Sequence, residues 1–340
     1  MVASMSSHNG TFEFGITPKG FSVAALFAWA KERLLFRVAH LGFDLIILGI
    51  MTLMLVATVL AMGGSIRFFQ ASVILPLAIT VAALLTKAYQ APDRWRVEAK
   101  HILRDWVPFL IIVFIYENMH DVAGHVVDFD IADVLHRWDV AIFGVEPTLW
   151  AQRIHSPLAT DLFSISYALY FAQPLFIMFL LSIWDMRREL RHMALSLTLT
   201  FILGFLGYVF LPCSPPRYAI EHLFTEPARL HGIFVFEALQ GAWDNLSVIS
   251  GGAFPSLHVG LSAVALIYAW KYRNLNRTCR IVWYAYVPLV TSLWFSTVYL
   301  RHHWVIDIFA GWAVAGVAYA GAEMLTRARA RLCERYGLLY

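Results

Sequence analysis

Eight long apolar runs constrain this chain more than any other feature. A hydrocarbon layer about 30 Å thick asks for about 20 helical residues, and runs of that order lie near 41–62, 67–86, 106–120, 158–184, 193–211, 254–270, 281–300 and 303–323. Inside lipid every backbone polar group has to be satisfied within its own segment, so these runs predict helices. The third is the shortest, holds Pro108 and runs into Glu117 and His120, and is expected to tilt or to end inside the protein. The fold class is therefore all-α: a polytopic membrane protein of about eight transmembrane helices. Composition closes the alternatives. Only 14% of the 340 residues are charged against 59% hydrophobic, too little for a soluble surface, and 25 Phe, 14 Tyr and 12 Trp exclude a disordered or collagen-like chain. A net charge of +3 is too small a surplus to indicate nucleic acid. Cys213, Cys279 and Cys333 are odd in number and far apart, which indicates neither a disulfide framework nor a zinc cluster.

Residues 1–20 are polar and the first apolar run begins near Leu41, so no cleavable signal peptide is expected and that run should stay as an anchor. Between them Phe21, Ala25, Leu26, Trp29 and Leu34 alternate with Lys31, Arg33 and Arg37. This reads either as a helix lying in the interface plane or as a polar-capped extension of the first span. Basic residues near span ends stay on the cytoplasmic side. One set of loops holds Lys87, Arg94, Arg96, Lys100 and Arg104, then Arg187, Arg188 and Arg191, then Lys271, Arg273, Arg277 and Arg280, then the tail from Arg327 to Arg335. The opposite set comprises the acidic segment 121–157, the loop 212–252 and the turn near 301–303. Both termini are thus expected in the cytoplasm of a bacterial inner membrane or eukaryotic endomembrane, with the opposite loops facing periplasm or lumen. The expected organisation is an interfacial helix and two added spans over 1–88, then a six-helix catalytic core over 89–340, with no internal repeat.

Three polar clusters fall on that outward side, where ionisable groups at membrane depth are expensive and default to function. The first is Pro212-Cys213-Ser214-Pro215-Pro216-Arg217-Tyr218: prolines force a non-helical exit, and Arg217 offers a planar fork of donors suited to phosphate, or snorkels at a helix end. In the second, Gly251-Gly252-Ala253-Phe254-Pro255-Ser256-Leu257-His258, a loop enters a helix N-terminus, which favours an anion. There Ser256 is either the helix cap or a phosphate donor. The third is Tyr299-Leu300-Arg301-His302-His303-Trp304-Val305-Ile306-Asp307, whose His303 and Asp307 share a face if 303 onward is helical, so the carboxylate can fix the imidazole tautomer. His258, His302, His303 and Asp307 could instead supply metal ligands, but arginine, helix N-terminus and paired histidines suit phosphoryl transfer better.

Together these residues resemble the integral-membrane type-2 phosphatidic acid phosphatase superfamily over roughly 89–340, in motif order and in loop placement. They depart from its phosphatase form. Phe210 stands where that form has a lysine, Leu257 replaces the glycine of Pro-Ser-Gly-His, and Ser296-Thr297 stands where Ser-Arg would open the third motif. Pro-Pro-Arg, Pro-Ser-Leu-His and His-His-x-x-x-Asp resemble the inositolphosphotransferase branch, which includes inositol phosphorylceramide synthase. The resemblance implies His303 as nucleophile through a phosphohistidine, Asp307 orienting it and His258 protonating the leaving alcohol. It implies Arg217, Ser256 and Arg301 on the phosphate oxygens, with Tyr218 and His302 completing the phosphate-binding candidates. No metal or cofactor is implied, and the partners are lipid substrates in the bilayer. With a lipid or polyol hydroxyl as acceptor the enzyme is a transferase, which the motif flavour favours; with water it is a lipid phosphate phosphatase. A non-catalytic anionic-lipid transporter is a third class. The segment 121–157 interleaves Phe129, Trp138, Phe143 and Trp150 with its acids, as an aromatic interfacial belt or as a helix pair bounding an access path for lipid. Asn245-Leu246-Ser247 forms a glycosylation sequon, and Asp44 carries no assigned role.

Overall fold

The structure is a computed structural model that describes residues 5–8, 11–14, 23–66, 73–119, 122, 126–225, 230–245 and 251–338. A short antiparallel hairpin, β1 (Met5–His8) and β2 (Thr11–Phe14), precedes the helices. These are α1 (Val23–Leu41), α2 (Phe43–Ala61), α3 (Ile74–Gln90), α4 (Trp95–Met119), α5 (Ala132–Phe143), α6 (Pro147–Ala151) and α7 (Pro157–Ala168). They continue as α8 (Ala172–Ile183), α9 (Arg187–Phe210), α10 (Pro216–Ala219), α11 (Val235–Asn245), α12 (Leu257–Tyr272), α13 (Arg277–Tyr299) and α14 (Val305–Tyr336). His120, Asp121, His125, the start of the second apolar run and positions 246 and 247 of the sequon lie outside the described residues.

Two compact units result: Met1–Gly42 with Arg329–Tyr340, and Phe43–Ala328. In the smaller, Glu32 accepts from Arg335 and from the Tyr336 hydroxyl, both at 2.7 Å, and the Phe36 ring meets Tyr336 edge-on. The outer side chains of α1, Leu26, Phe27 and Leu34, stay exposed. Gly42, the residue after α1, has φ +91°.

In the larger unit, α2, α9, α13 and α14 are each long and apolar enough to cross a membrane. Two further candidates are bent pairs: α3 with Pro92–Met119 at 116°, and α7 with α8 at 45°. The run at 254–270 yields α12, whose 16 residues reach about 24 Å; it is short because its first turn, with Ser256 and Leu257 buried, begins inside the protein. The third run also differs from expectation. Its helix, α4, starts at Trp95 rather than near 106 and passes through Pro108 unbroken. Hydropathy reads Glu98 and Asp105 as loop, yet both are buried in ion pairs, with Arg187 and with Arg191 (2.8 Å) respectively. Arg104 grips Asp44 with two 3.0 Å bonds, and Lys87 pairs with Asp185 at 2.8 Å. Asp44 thus acquires a role as a packing ion pair. Four of the basic residues counted for orientation, Lys87, Arg104, Arg187 and Arg191, are held by carboxylates of the bundle.

α4 is wrapped by α2, α3 and α9 and buries Trp106, Phe109, Ile112 and Ile115. α12 packs on α8, α9 and α13 and buries Leu261, Val264 and Tyr268. Leu53 and Met54 of α2, Leu85 of α3 and Val317 and Met324 of α14 point outward, an apolar exterior that suits lipid contact. The chain is an integral membrane protein. The C-terminus of α9, the N-terminus of α12, the C-terminus of α13 and the N-terminus of α14 meet at one end of the unit, and that meeting places the site.

Candidate active site

The three polar clusters are sewn together by their backbones. Cys213 N–H donates to Gly251 O (2.7 Å) and Ala253 N–H to Cys213 O (3.1 Å), a bridge between the first and second clusters. Arg217 N–H donates to Arg301 O (3.0 Å), joining first to third, and Ser256 N–H reaches Asp307 O (3.3 Å), joining second to third. Two glycines permit this closeness. A Cβ on Gly207 of α9 would lie 2.2 Å from Pro255 Cδ, and one on Gly311 of α14 would lie 2.7 Å from Ser256 O.

The first turn of α14 orders the histidine. His303 Nδ1 lies 2.9 Å from Ala253 O and 3.2 Å from Asp307 Oδ2. Both are acceptors, so Nδ1 carries the proton and Nε2 presents its lone pair. Nε2 in turn faces His258 Nδ1 at 3.2 Å. Asp307 is fully buried, and its Oδ2 also receives Trp304 N–H at 2.9 Å, which pins the carboxylate to the start of the helix. An imidazole whose Nδ1–H is held by two acceptors, with a buried carboxylate behind it and a second histidine in front, can act as nucleophile, orienter and acid–base.

Around this pair stand the phosphate candidates. Arg301 occupies the left-handed region at φ +63°, is buried, and sits 3.7 Å above the Phe224 ring; burial lowers its pKa to about 10, so it stays a cation near neutrality. Arg217 lies 4.7 Å over the Tyr218 ring, and its Nε is buried with no hydrogen-bond partner. Tyr218 itself is 60% exposed. Ser256 Oγ caps α12 by accepting Val259 N–H at 3.4 Å, which is the cap reading, and its own hydroxyl proton is left to donate. His302 is stacked on Tyr167 at 4.5 Å, and burial, helped by the Arg217 charge, holds its pKa well below the ordinary histidine range. It is a neutral hydrogen-bonding group rather than a third cation. Among the described residues no three His, Cys, Asp or Glu side chains are grouped as a metal would need.

The sequence profile of the PAP2 superfamily matches residues 134–321, a stretch that contains all three clusters. The chain belongs to the PAP2 superfamily. Among curated relatives, the phosphoinositol dihydroceramide synthase of Bacteroides thetaiotaomicron is 27% identical over 227 residues, 60% of this chain and 71% of that protein. The inositol phosphorylceramide synthase catalytic subunit of Schizosaccharomyces pombe is 28% identical over 172 residues, 46% of this chain and 38% of the subunit. That of Saccharomyces cerevisiae is 31% identical over 120 residues, 32% of this chain and 28% of the subunit. Against these two fungal subunits the chain therefore spans well under half of their length. No solved structure matches the chain.

Several residues of this PAP2 site were not singled out from sequence. Tyr167, at the end of α7, stacks on His258 at 4.4 Å as well as on His302, and Tyr170, in the bend before α8, lies 4.1 Å from His258. In a string of apolar letters they look like any other tyrosine of a span; the break between α7 and α8 brings them inward. The acidic segment also does more than line an interface. Asp130 accepts Ser214 N–H at 3.0 Å, and Asp139 of α5 reaches α14, while Trp138, Ile142 and Phe143 of the same helix remain exposed.

Proposed function

We propose that this PAP2 enzyme is a lipid phosphotransferase that moves a phospho-headgroup from a glycerophospholipid to a lipid or polyol hydroxyl through a phosphohistidine on His303. The observation that carries the reading is the pair of acceptors at His303 Nδ1, Ala253 O and Asp307 Oδ2, which hold the proton there and leave Nε2, facing His258, as the nucleophile. Nε2 attacks phosphorus and the donor's ester oxygen leaves, taking a proton from the doubly protonated His258 ring, which becomes neutral, to depart as an alcohol. The acceptor hydroxyl then attacks phosphorus, gives its proton to His258, and releases His303 neutral. Asp307 offsets the positive charge that the imidazole carries while phosphorylated. Arg217, Arg301 and Ser256 hold the non-bridging oxygens, His302 adds a neutral hydrogen bond, and Tyr218 steers the Arg217 guanidinium from beneath.

Because Nε2 points at His258 Nδ1 across 3.2 Å, that contact opens when phosphorus takes its place on Nε2. Tyr167 and Tyr170 flank the His258 ring and set the plane in which it moves. The substrate class proposed is a phosphoinositol-type headgroup and a ceramide-type acceptor, a reading that the names of the relatives support. The catalytic core is assigned to 89–340, the termini to the cytoplasm and the site to the periplasmic or luminal face; the excess of basic residues in the opposite loops supports that orientation. The test is purified protein in lipid nanodiscs with labelled phosphatidylinositol, with and without ceramide, diacylglycerol or inositol. A new phospholipid that needs an acceptor and vanishes in His303→Ala is the expected result. Release of free phospho-headgroup without an acceptor would make water the acceptor, and specific lipid binding without turnover would leave a carrier.

A further inference from the structure

The first turn of α14 has backbone N–H groups with no partner inside the helix, as every helix start does. Asp307 takes that of Trp304. The next two are taken by a residue 166 positions away: Val305 N–H donates to Asp139 Oδ2 at 2.7 Å and Ile306 N–H to Asp139 Oδ1 at 3.1 Å. Asp139 is completely buried and stands in α5, a helix whose 12 residues are too few to cross a membrane and which begins on another strap of the same kind. There Asp130 accepts Ala132 N–H (2.7 Å) and Ser214 N–H (3.0 Å), and Ile131 N–H donates to Pro212 O (3.0 Å). One end of α5 is therefore tied to the Arg217 cluster, and its middle to the turn that carries His303 and Asp307.

We propose that Asp139 is a positioning residue of the transfer reaction: by capping the first turn of α14 from outside the bundle, its carboxylate fixes where His303 and Asp307 stand. This rests on the function proposed above. Two bonds from one carboxylate to consecutive N–H groups define the rotation of that turn about its axis, and His303 and Asp307 sit two residues before and one after the capped pair. A small rotation would carry Nε2 away from the phosphorus it has to meet, and misplacement on the scale of 1 Å costs about 10²-fold in rate.

Ionisation of Asp139 is part of the device. Burial raises its pKa to about 6, the two N–H donors oppose that, and the charges of Glu146 and Asp307 add to it. Glu146 is itself bonded to His136 of α5 at 2.8 Å, and α10, packed on α5, carries Arg217. The carboxylate that caps α14 is present above about pH 6 and is lost below it. Stability runs the other way for this group: with the folded pKa raised, its favourable contribution is full below the unfolded pKa and is lost as pH rises through about 6. Acidification thus slows transfer without loosening the fold through Asp139.

The test compares wild type, Asp139→Asn and Asp133→Asn, an exposed position on the same helix, in nanodiscs with phosphatidylinositol and ceramide between about pH 8 and about pH 5. Hydrogen exchange of the peptide around 304–310 is followed in parallel. In Asp139→Asn, kcat is expected to fall about tenfold or more with KM within about twofold, the acid limb near pH 6 to disappear, and exchange to quicken in that peptide alone. Asp133→Asn should match wild type in each. Unchanged kcat and exchange in Asp139→Asn would overturn the proposal, as would faster exchange throughout the protein with a lowered unfolding temperature, the mark of a merely structural residue. If wild type shows no transfer, the functional reading fails, and exchange at 304–310 still decides the cap. If Asp139→Asn does not fold, exchange in wild type decides it: protection of Val305 and Ile306 lost below about pH 6 supports the cap, and constant protection overturns it.

Discussion

Replacing Asp307 by asparagine removes a charge while nearly preserving a shape. Both of the carboxylate's donors, His303 Nδ1–H at 3.2 Å and Trp304 N–H at 2.9 Å, converge on Oδ2. An asparagine with its oxygen in that place keeps both bonds, and Ala253 O independently holds the Nδ1–H tautomer at 2.9 Å. What is lost, on the proposed mechanism, is the interaction between the carboxylate and the positive charge that grows on the imidazole as Nε2 bonds to phosphorus. At an effective dielectric near 20, unit charges 3.2 Å apart interact by about 5 kcal/mol, and roughly half a charge developed in the transition state leaves about 2–3 kcal/mol, or roughly 10²-fold in kcat. Asp307→Ala should cost more, because Trp304 N–H is then buried without a partner, a further loss of about 1–3 kcal/mol that appears in stability. The assay is the initial rate of product formation in nanodiscs, with thermal unfolding measured on the same samples. An Asp307→Asn enzyme within threefold of wild type would refute the electrostatic role. Equal losses of unfolding temperature in both variants would show a structural role only.

Arg217→Lys keeps a cation but loses the planar fork and the stack on Tyr218, so KM for the phospholipid donor should rise about tenfold with a smaller change in kcat; saturation kinetics across donor mole fraction measure the split. Gly207→Ala places a methyl against Pro255 and Phe254 O, and Gly311→Ala places one against Ser256 O; neither backbone can retreat, so each should destabilise by about 1–3 kcal/mol in thermal unfolding and lose transfer with it. Asp44→Ala removes the two-bond partner of the partly buried Arg104 and should cost about 1–3 kcal/mol, with a smaller loss when both residues are exchanged for apolar ones of similar volume, read by denaturation in detergent.

The candidate site was legible where chemistry lies in consecutive letters at the ends of apolar runs. Pro-Pro-Arg, Pro-Ser-Leu-His and His-His-x-x-x-Asp each announce a loop, a helix start or a helical pair, and the four-residue spacing of His303 and Asp307 carries directly into a contact. The membrane character was legible because hydropathy integrates over whole helices. What escaped depends on distance along the chain or on pairing. Asp139 and its N–H donors are 166 and 167 residues apart, and one acid in an acidic segment carries no sign of the turn it caps. The start of α4 was missed because Glu98 and Asp105 count as polar until Arg187 and Arg191 neutralise them. The inward turn of Tyr167 and Tyr170 comes from a 45° bend between α7 and α8 that no single residue of the run marks.

The covalent intermediate proposed on His303 is open to a direct measurement. Wild-type protein in nanodiscs is mixed with donor lipid radiolabelled at phosphorus, quenched within one turnover under alkaline conditions that preserve phosphohistidine, and digested for mass spectrometry. The expected result is label on His303 that builds before product, discharges when acceptor is added and is missing from His303→Ala. Product forming at the full rate with no label on His303 at any time would mean direct transfer from donor to acceptor, and His303 would not be the nucleophile.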